Sequence, residues 1–296
     1  MNLSQKGKNN IMTIGVIGPG AVGTTIAIEL QQAYPDTLLI GKQKNTLNYF
    51  PENGHQSKTI SVTPYQDITQ PLDIVFIVVK TYQLETVITQ LSPIIHEETI
   101  IILAQNGYGQ LERIPFPNSY QAVVYISGQK NNNDVTHFRD YRLHLKDTPR
   151  TRKLQKLTNQ TNIEIILEEN IEEKIWYKLL VNLGINSITA LGRDTAKLLR
   201  SSHIRNICRG IISEGISVAR AEGLNFDVNT LDSIMTIYEG YPDQMGTSMY
   251  YDITSGRPLE MESIQGYIYK KAQEYHITTP YLDTVYAFLS AYQSQF

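Results

Sequence analysis

Three polar residues are spaced along one long apolar segment in the second half of the chain. Lys178, Asn182 and Asn186 are four residues apart, so a helix would align them in one stripe. Ile175 and Ile185 fall in the same sector, so this stripe is not typical of a solvated face. Desolvation lowers the pKa of a lysine, which predicts that the protonated Lys178 amine donates a proton near neutral pH. The two amides beside it would hold a carbonyl and a carboxylate. A polar network that only fixes helix packing is the alternative.

A second chemical feature is the stretch GPGAVG, which has the spacing G-x-G-x-x-G. It follows a strand-like run and opens a helical pattern, the context that a dinucleotide-binding turn requires. The first glycine permits the turn, the second lets a pyrophosphate approach, and the third lets helix and strand pack closely. The helix N-terminus then offers N–H groups to the phosphates. The residues predicted to contact the cofactor here are Gly18, Pro19, Gly20, Ala21, Val22 and Gly23.

The residues after the second predicted strand indicate which dinucleotide binds. NAD-selective sites usually place an acidic residue at the end of that strand, about 20 residues after the glycines. Here the nearby acid, Asp36, precedes the strand, and Lys42 and Lys44 follow it. A cation at this position suits a 2′-phosphate, so the sequence favours NADPH, with Lys42 as the main candidate contact. Two solvated surface lysines are the alternative.

Four more candidate functional residues lie near the ends of predicted strands and helices. Lys80 and Asn106 each follow an apolar strand-like run, and ligands of open α/β sheets bind at the carboxyl ends of strands. Ser248 and Glu260 stand on either side of the turn TSGRP, which would let a serine near one helix face a carboxylate on the next. A capping serine and an exposed glutamate are the ordinary reading of this second pair.

The elements that would position these residues differ between the two halves of the chain. Strands are predicted at residues 11–17, 37–40, 73–79, 99–104, 122–127, 141–145 and 163–167. Helical patterns between them, including residues 21–34, predict an α/β Rossmann-type domain with a doubly wound parallel sheet. After Asn170, which with Glu173 forms an N-terminal capping-box pattern, long helical patterns predict an all-helical domain. The expected organisation is a flexible leader at 1–11, an NADP-binding domain at 12–169 and a helical substrate domain at 170–296.

Composition limits the classes of partner. The 296 residues are 41% hydrophobic with a net charge of −3, and no basic block or membrane-length apolar run occurs. Nucleic acid and membrane partners are therefore not expected. The single cysteine, Cys208, fits a reducing cytoplasm, and no metal site is predicted.

Five blocks, in this order, resemble the ketopantoate reductase (2-dehydropantoate 2-reductase) family. They read IGVIGPGAVG, VVKTYQ, QNGYG, WYKLLVNLGINSITAL and TSMYYDITSGRPLEMESIQG. The resemblance implies a Rossmann domain and a helical domain with the site in the cleft between them. It implies NADPH-dependent reduction of 2-dehydropantoate to (R)-pantoate, a step of pantothenate and coenzyme A synthesis, by a monomer or homodimer. It assigns catalysis to Lys178, substrate binding to Asn182, Asn186, Ser248 and Glu260, and cofactor contacts to Lys42, Lys80, Asn106 and again Glu260.

The chain departs from the family pattern at several positions. Lys42 falls where the family commonly has arginine, which keeps the charge but loses the bidentate fork. Ser187 follows the signature asparagine where proline is usual, and the segment YISGQKNNNDVTHF fits poorly. The alternatives are another NAD(P)-dependent 2-keto acid or opine-like reductase, and a non-catalytic NADPH-binding sensor.

Overall fold

The structure is a computed structural model that describes residues 12–52 and 56–296. The predicted leader, residues 1–11, lies outside the described residues. Contacts divide the chain into two units. The first comprises the described residues up to Val79, Gln83–Ala104 and Ile114–Leu167, and the second comprises Lys80–Tyr82, Gln105–Arg113 and Glu168–Phe296. Two short loops that precede residue 169 thus group with the helical unit, and the exact domain boundary stays a prediction.

One sheet of ten strands, counted over the described residues, forms the first unit. The strands are β1 (Ile14–Ile17), β2 (Leu38–Gly41), β3 (Asn45–Phe50), β4 (Lys58–Pro64), β5 (Leu72–Ile77), β6 (Ile95–Leu103), β7 (Ser119–Gln121), β8 (Val123–Asn131), β9 (Asp134–Lys146) and β10 (Glu164–Glu168). Their order is β10-β9-β3-β4-β2-β1-β5-β6-β7, and β8 pairs with β9. The row from β4 through β1 to β7 is parallel, which confirms the Rossmann-type prediction.

The sheet is mixed rather than wholly parallel. β3 and β4 are antiparallel, and so are β8 and β9. The expectation that the run at 122–127 continues the parallel series was wrong. The chain reverses after β8 through Asn132, which has a φ of 54°, and the following strand returns along the same path. The sequence did not predict β3, β4 or β7. Strands β3 and β4 alternate exposed with buried positions and so have no continuous apolar run, and β7 has only three residues.

The nine α-helices of the described residues cover both units. They are α1 (Ala21–Gln31), α2 (Leu84–Leu91), α3 (Pro149–Thr158), α4 (Ile171–Leu191), α5 (Ser202–Ala221), α6 (Thr230–Glu239), α7 (Ser248–Thr254), α8 (Gln265–Glu274) and α9 (Pro280–Gln293). Residues 171–296, all of which the structure describes, contain no strand, as predicted. Among the described residues, none of these helices combines the length and apolar character that a bilayer crossing needs.

Helix α4 is the central helix of the second unit. Fourteen of its 21 residues are buried, and they pack on apolar residues of α5, α6, α8 and α9. This confirms that the segment is a largely buried helix. The predicted capping box is wrong, because Asn170 has φ −109° and ψ 77°, outside the extended geometry of a capping residue, and its side chain makes no cap hydrogen bond.

Candidate active site

The glycine loop joins β1 to α1 with the geometry that a dinucleotide phosphate needs. Gly18 has a φ of +112°, and a Cβ there would lie 2.8 Å from the Val78 backbone. A Cβ on Gly23 would lie 2.1 Å from the Gly18 carbonyl oxygen, whereas a Cβ on Gly20 would meet no atom within 4 Å. The open space is thus at Gly20, the position of the motif at which dinucleotide-binding turns admit a phosphate.

The start of α1 adds donors to this loop. The first helical N–H bond runs from Thr24 to the Gly20 carbonyl, so the N–H groups of Ala21, Val22 and Gly23 precede it. The first turn has no acidic residue and no side-chain cap. These residues fit the pyrophosphate of a dinucleotide.

Lys42 and Lys44 are both exposed and follow the end of β2. The last residue of that strand is Gly41, and a Cβ there would lie 3.1 Å from the Pro19 ring. The Gly18 N–H also donates to the Ile40 carbonyl at 3.0 Å. The end of β2 is therefore packed on the glycine loop, and Lys42 is the first exposed side chain after that contact.

Helix α4 holds Lys178, Asn182 and Asn186 along one continuous stripe. Its 21 residues are unbroken, so each interval of four residues spans about 6 Å along the axis. Lys178 and Asn182 are half-buried and Asn186 is buried at 4% exposure. The amine therefore lies nearer the solvated part of the stripe and the second amide lies in the buried part.

The start of α7 is attached to α4 close to Asn186. Thr247 caps α7 by accepting the Tyr250 N–H, and its hydroxyl lies 2.7 Å from the hydroxyl of Thr189, which is three residues beyond Asn186. The next residue after this cap is Ser248, which is exposed. Ser248 is thus held at the helix start, and its neighbour Thr247 does the capping.

The serine that replaces the usual proline has a structural role. Ser187 is fully buried, donates to the Leu183 carbonyl at 2.6 Å and accepts from the Gln265 amide at 3.0 Å. Gln265 begins α8, so this bond joins α4 to α8. The departure from the family pattern is therefore accounted for by packing within the helical unit.

A charged cluster surrounds Lys80 in the helical unit. We call it the Lys80 cluster; its members are Lys80, Thr81, Asp252, Arg257, Glu260 and Ser263. The Lys80 amine donates to Asp252 Oδ2 at 2.9 Å and to Glu260 Oε2 at 2.8 Å. Glu260 Oε1 accepts the Thr81 N–H at 3.0 Å, and Arg257 Nε donates to Asp252 Oδ1 at 3.0 Å. Both carboxylates are therefore shared between two donors.

The Lys80 cluster has balanced charge, with two cations and two carboxylates. Asp252 and Glu260 are 6% and 8% exposed, so each buried carboxylate has a charged partner, as burial requires. Burial alone would lower the pKa of Lys80, but Glu260 and Asp252 outweigh it and raise that pKa above its ordinary value. Lys80 is therefore a fixed cation across the physiological range and is unsuited to proton transfer.

Asn106 lies in a loop that the same cluster holds in place. Tyr108 donates its N–H to the Ser263 carbonyl at 2.8 Å, and its ring packs on Trp176 and Tyr267. Gly107 has a φ of +93°, and a Cβ there would lie 2.5 Å from the Ser263 carbonyl oxygen. The loops that carry Lys80 and Asn106 therefore share Ser263 as an anchor, through its side chain and its backbone respectively.

The structure joins Lys80 with Glu260, two residues that different sequence patterns had each indicated. It does not place Ser248 in this cluster: the residue of α7 that contacts Lys80 is Asp252, which was not predicted from the sequence. A signal was present, since Asp252 is an acid between the buried residues Met249 and Ile253 of a short helix. Thr81, Arg257 and Ser263 carried no comparable signal.

The comparisons with known proteins agree with the two-unit description. Residues 14–150 match the family model described as "Ketopantoate reductase PanE/ApbA", and residues 170–293 match its C-terminal model. A solved structure of the dimeric ketopantoate reductase from Staphylococcus aureus is 56% identical, with a TM-score of 0.94, over 96% of this chain and 99% of that one.

More distant relatives also match nearly the whole length of this chain. A 2-dehydropantoate 2-reductase of Mycobacterium tuberculosis is 27% identical over 94% of this chain and 97% of its own length. A D-mandelate dehydrogenase solved with NADH and anilino(oxo)acetate is 21% identical, with a TM-score of 0.85, over 96% of this chain and 99% of that one. At that identity the likeness is one of fold.

Proposed function

Because the chain belongs to the ketopantoate reductase family of NAD(P)-dependent oxidoreductases, we propose that it reduces 2-dehydropantoate to (R)-pantoate with NADPH. The 56% identity to the S. aureus ketopantoate reductase supports this choice of substrate, and we propose that this chain, like that enzyme, is a dimer. The cytoplasmic location expected from the single cysteine stays a prediction; Cys208 is buried, and burial raises its pKa to about 12.

The observation that carries the proposal is the stripe of an amine and two amides on buried helix α4. In this proposal Lys178 hydrogen-bonds the carbonyl oxygen of the keto acid and donates a proton there as negative charge develops. Asn182, Asn186 and Ser248 orient the substrate. When bound, NADPH supplies a hydride to the carbonyl carbon.

The remaining proposed residues hold the cofactor. The glycine loop and the first N–H groups of α1 bind the pyrophosphate, and Lys42 binds the 2′-phosphate. Lys80 and Asn106 lie in the loops that follow β5 and β6, and Glu260 accepts hydrogen bonds from the Lys80 amine and the Thr81 N–H of the first loop. Because two carboxylates balance the positive charge of Lys80, its proposed part is to fix these loops and to donate a hydrogen bond to the cofactor.

The test is NADPH oxidation followed by absorbance after addition of ketopantoate, with pyruvate and benzoylformate as competing keto acids. We expect the highest kcat/KM for ketopantoate. A higher value for another keto acid would replace the proposed substrate by a different 2-keto acid. Cofactor binding without oxidation by any keto acid would instead favour the sensor hypothesis, which has no use for a proton donor on α4.

Charge reversal at Lys42 tests the cofactor assignment. Lys42→Glu is expected to weaken NADPH binding about tenfold or more and to change NADH binding little, because only NADPH places a phosphate beside this side chain. Fluorescence titration with both cofactors measures the two dissociation constants. The control is Lys44→Glu, an exposed lysine two residues on with the same charge change. Equal weakening of NADPH and NADH by Lys42→Glu would rule out the phosphate contact.

A further inference from the structure

Strand β8 of the first unit runs beside the glycine loop and carries a lysine onto it. The Lys130 amine donates to the Pro19 carbonyl at 2.6 Å. Two residues earlier, on the same side of the strand, a Cβ on Gly128 would lie 3.4 Å from the Ala21 Cβ at the start of α1. The segment that fits the family pattern poorly is therefore part of the wall around the phosphate-binding turn.

The Lys130 amine bonds to a backbone carbonyl and has no carboxylate partner among the described residues. It is half-buried and makes no salt bridge with any carboxylate in residues 12–52 and 56–296. An ammonium has three donors, and the Pro19 carbonyl takes one. Burial lowers the pKa of Lys130 below its ordinary value, so the charged amine gains from an anion at this place.

The location of Lys130 indicates which part of a dinucleotide it would meet. Its acceptor, Pro19, packs on Gly41, the last residue of β2, and Lys42 follows directly. The side of the loop next to the end of β2 is where the adenosine ribose lies in Rossmann-type sites. The pyrophosphate lies instead over the helix N-terminus.

The tip of the β8–β9 hairpin is fixed to the same edge of the unit. Asn45 donates to Asn133 Oδ1 at 2.9 Å, and Asn48 donates to Asp134 Oδ1 at 2.7 Å. Strand β3, which contains both asparagines, begins three residues after Lys42 and pairs with β9. Lys130 is therefore held near the residues that follow β2, and its position does not depend on a free loop.

Resting on the proposed function, we propose that Lys130 is a second binding residue for the 2′-phosphate of NADPH, acting with Lys42. Lys42, which follows β2, and Lys130, on β8, then take the place of the arginine that the family commonly has after β2. Each lysine contributes a point charge, so the two amines together supply two charge-assisted hydrogen bonds, the number that the fork of one guanidinium makes.

The experiment measures binding without a keto acid. Lys130→Met keeps most of the apolar stem and removes the amine. Titrations with NADPH, NADH, 2′,5′-ADP and 5′-AMP separate the 2′-phosphate from the rest of the ligand. We expect about a tenfold loss of affinity for NADPH and 2′,5′-ADP, with NADH and 5′-AMP changed by less than about twofold. Lys130→Arg should retain most of the preference for the phosphorylated ligands.

Lys146→Met is the matched control, since this exposed lysine lies on the adjacent strand β9 and its loss changes the net charge equally. An equal loss for NADPH and NADH in Lys130→Met would mean that the lysine only supports the loop, and no loss for either would also overturn the proposal. These titrations contain no keto acid, so their result does not depend on catalysis. If the separate NADPH oxidation assay showed no reduction of ketopantoate, that would contradict the proposed function but not the binding role of Lys130.

Discussion

Replacing Lys178 by alanine is expected to lower kcat for ketopantoate reduction about 10²-fold or more, the usual scale for loss of a general acid. The reason is that the developing negative charge on the substrate oxygen then lacks both its hydrogen-bond donor and its proton. NADPH affinity should change little, because the proposed cofactor contacts lie elsewhere. Steady-state kinetics and a cofactor titration on the same preparation separate the two effects.

The control for this prediction is Lys174→Ala, one turn earlier on α4. Lys174 is half-exposed and forms a 3.8 Å ion pair with Glu168, so its loss tests a generic effect of removing a lysine from this helix. Its kcat should stay near the wild-type value. Near-normal turnover in Lys178→Ala, with the cofactor bound normally, would refute the assigned role of Lys178.

Replacing Glu260 by alanine is expected to lower the free energy of unfolding of the helical unit by about 2–3 kcal/mol. Truncating one partner of a buried ion pair typically costs about 3–5 kcal/mol, and the 33% exposure of the Lys80 side chain reduces that figure. The variant also leaves the Thr81 N–H without its carboxylate acceptor. Urea unfolding followed by the fluorescence of Trp176, the single tryptophan and a buried residue of α4, reports on this unit.

Two further variants serve as controls for the Glu260→Ala prediction. Glu260→Gln keeps an oxygen for the Thr81 N–H and should lose less stability than alanine, because Lys80 retains Asp252. Glu262→Ala removes an exposed acid two residues away that pairs with Lys270 at 2.7 Å, and surface pairs of this kind contribute about 0–1 kcal/mol. If Glu260→Ala were no more destabilising than Glu262→Ala, the Lys80 cluster would not be a stabilising feature.

The sequence alone predicted the features that depend on local periodicity. An apolar run, three spaced glycines and a helical pattern were sufficient for the β1–α1 turn, because each step is made within about ten residues. The same holds for α4, where one period places an amine and two amides on a stripe. Strands β3 and β4 were not predicted, because their exposed and buried positions alternate and neither strand contains a continuous apolar run.

Tertiary structure alone decided which polar groups meet. Glu260 is 180 residues from Lys80 and Asp252 is 172, and Lys130 is 111 residues from Pro19. Hydrophobic periodicity states which face of an element is buried, but a buried charge also needs a particular partner, and the path of the chain chooses that partner. The sequence therefore determined the glycine turn and the stripe on α4, whereas folding determined the Lys80 cluster and the lysine that β8 places on the glycine loop.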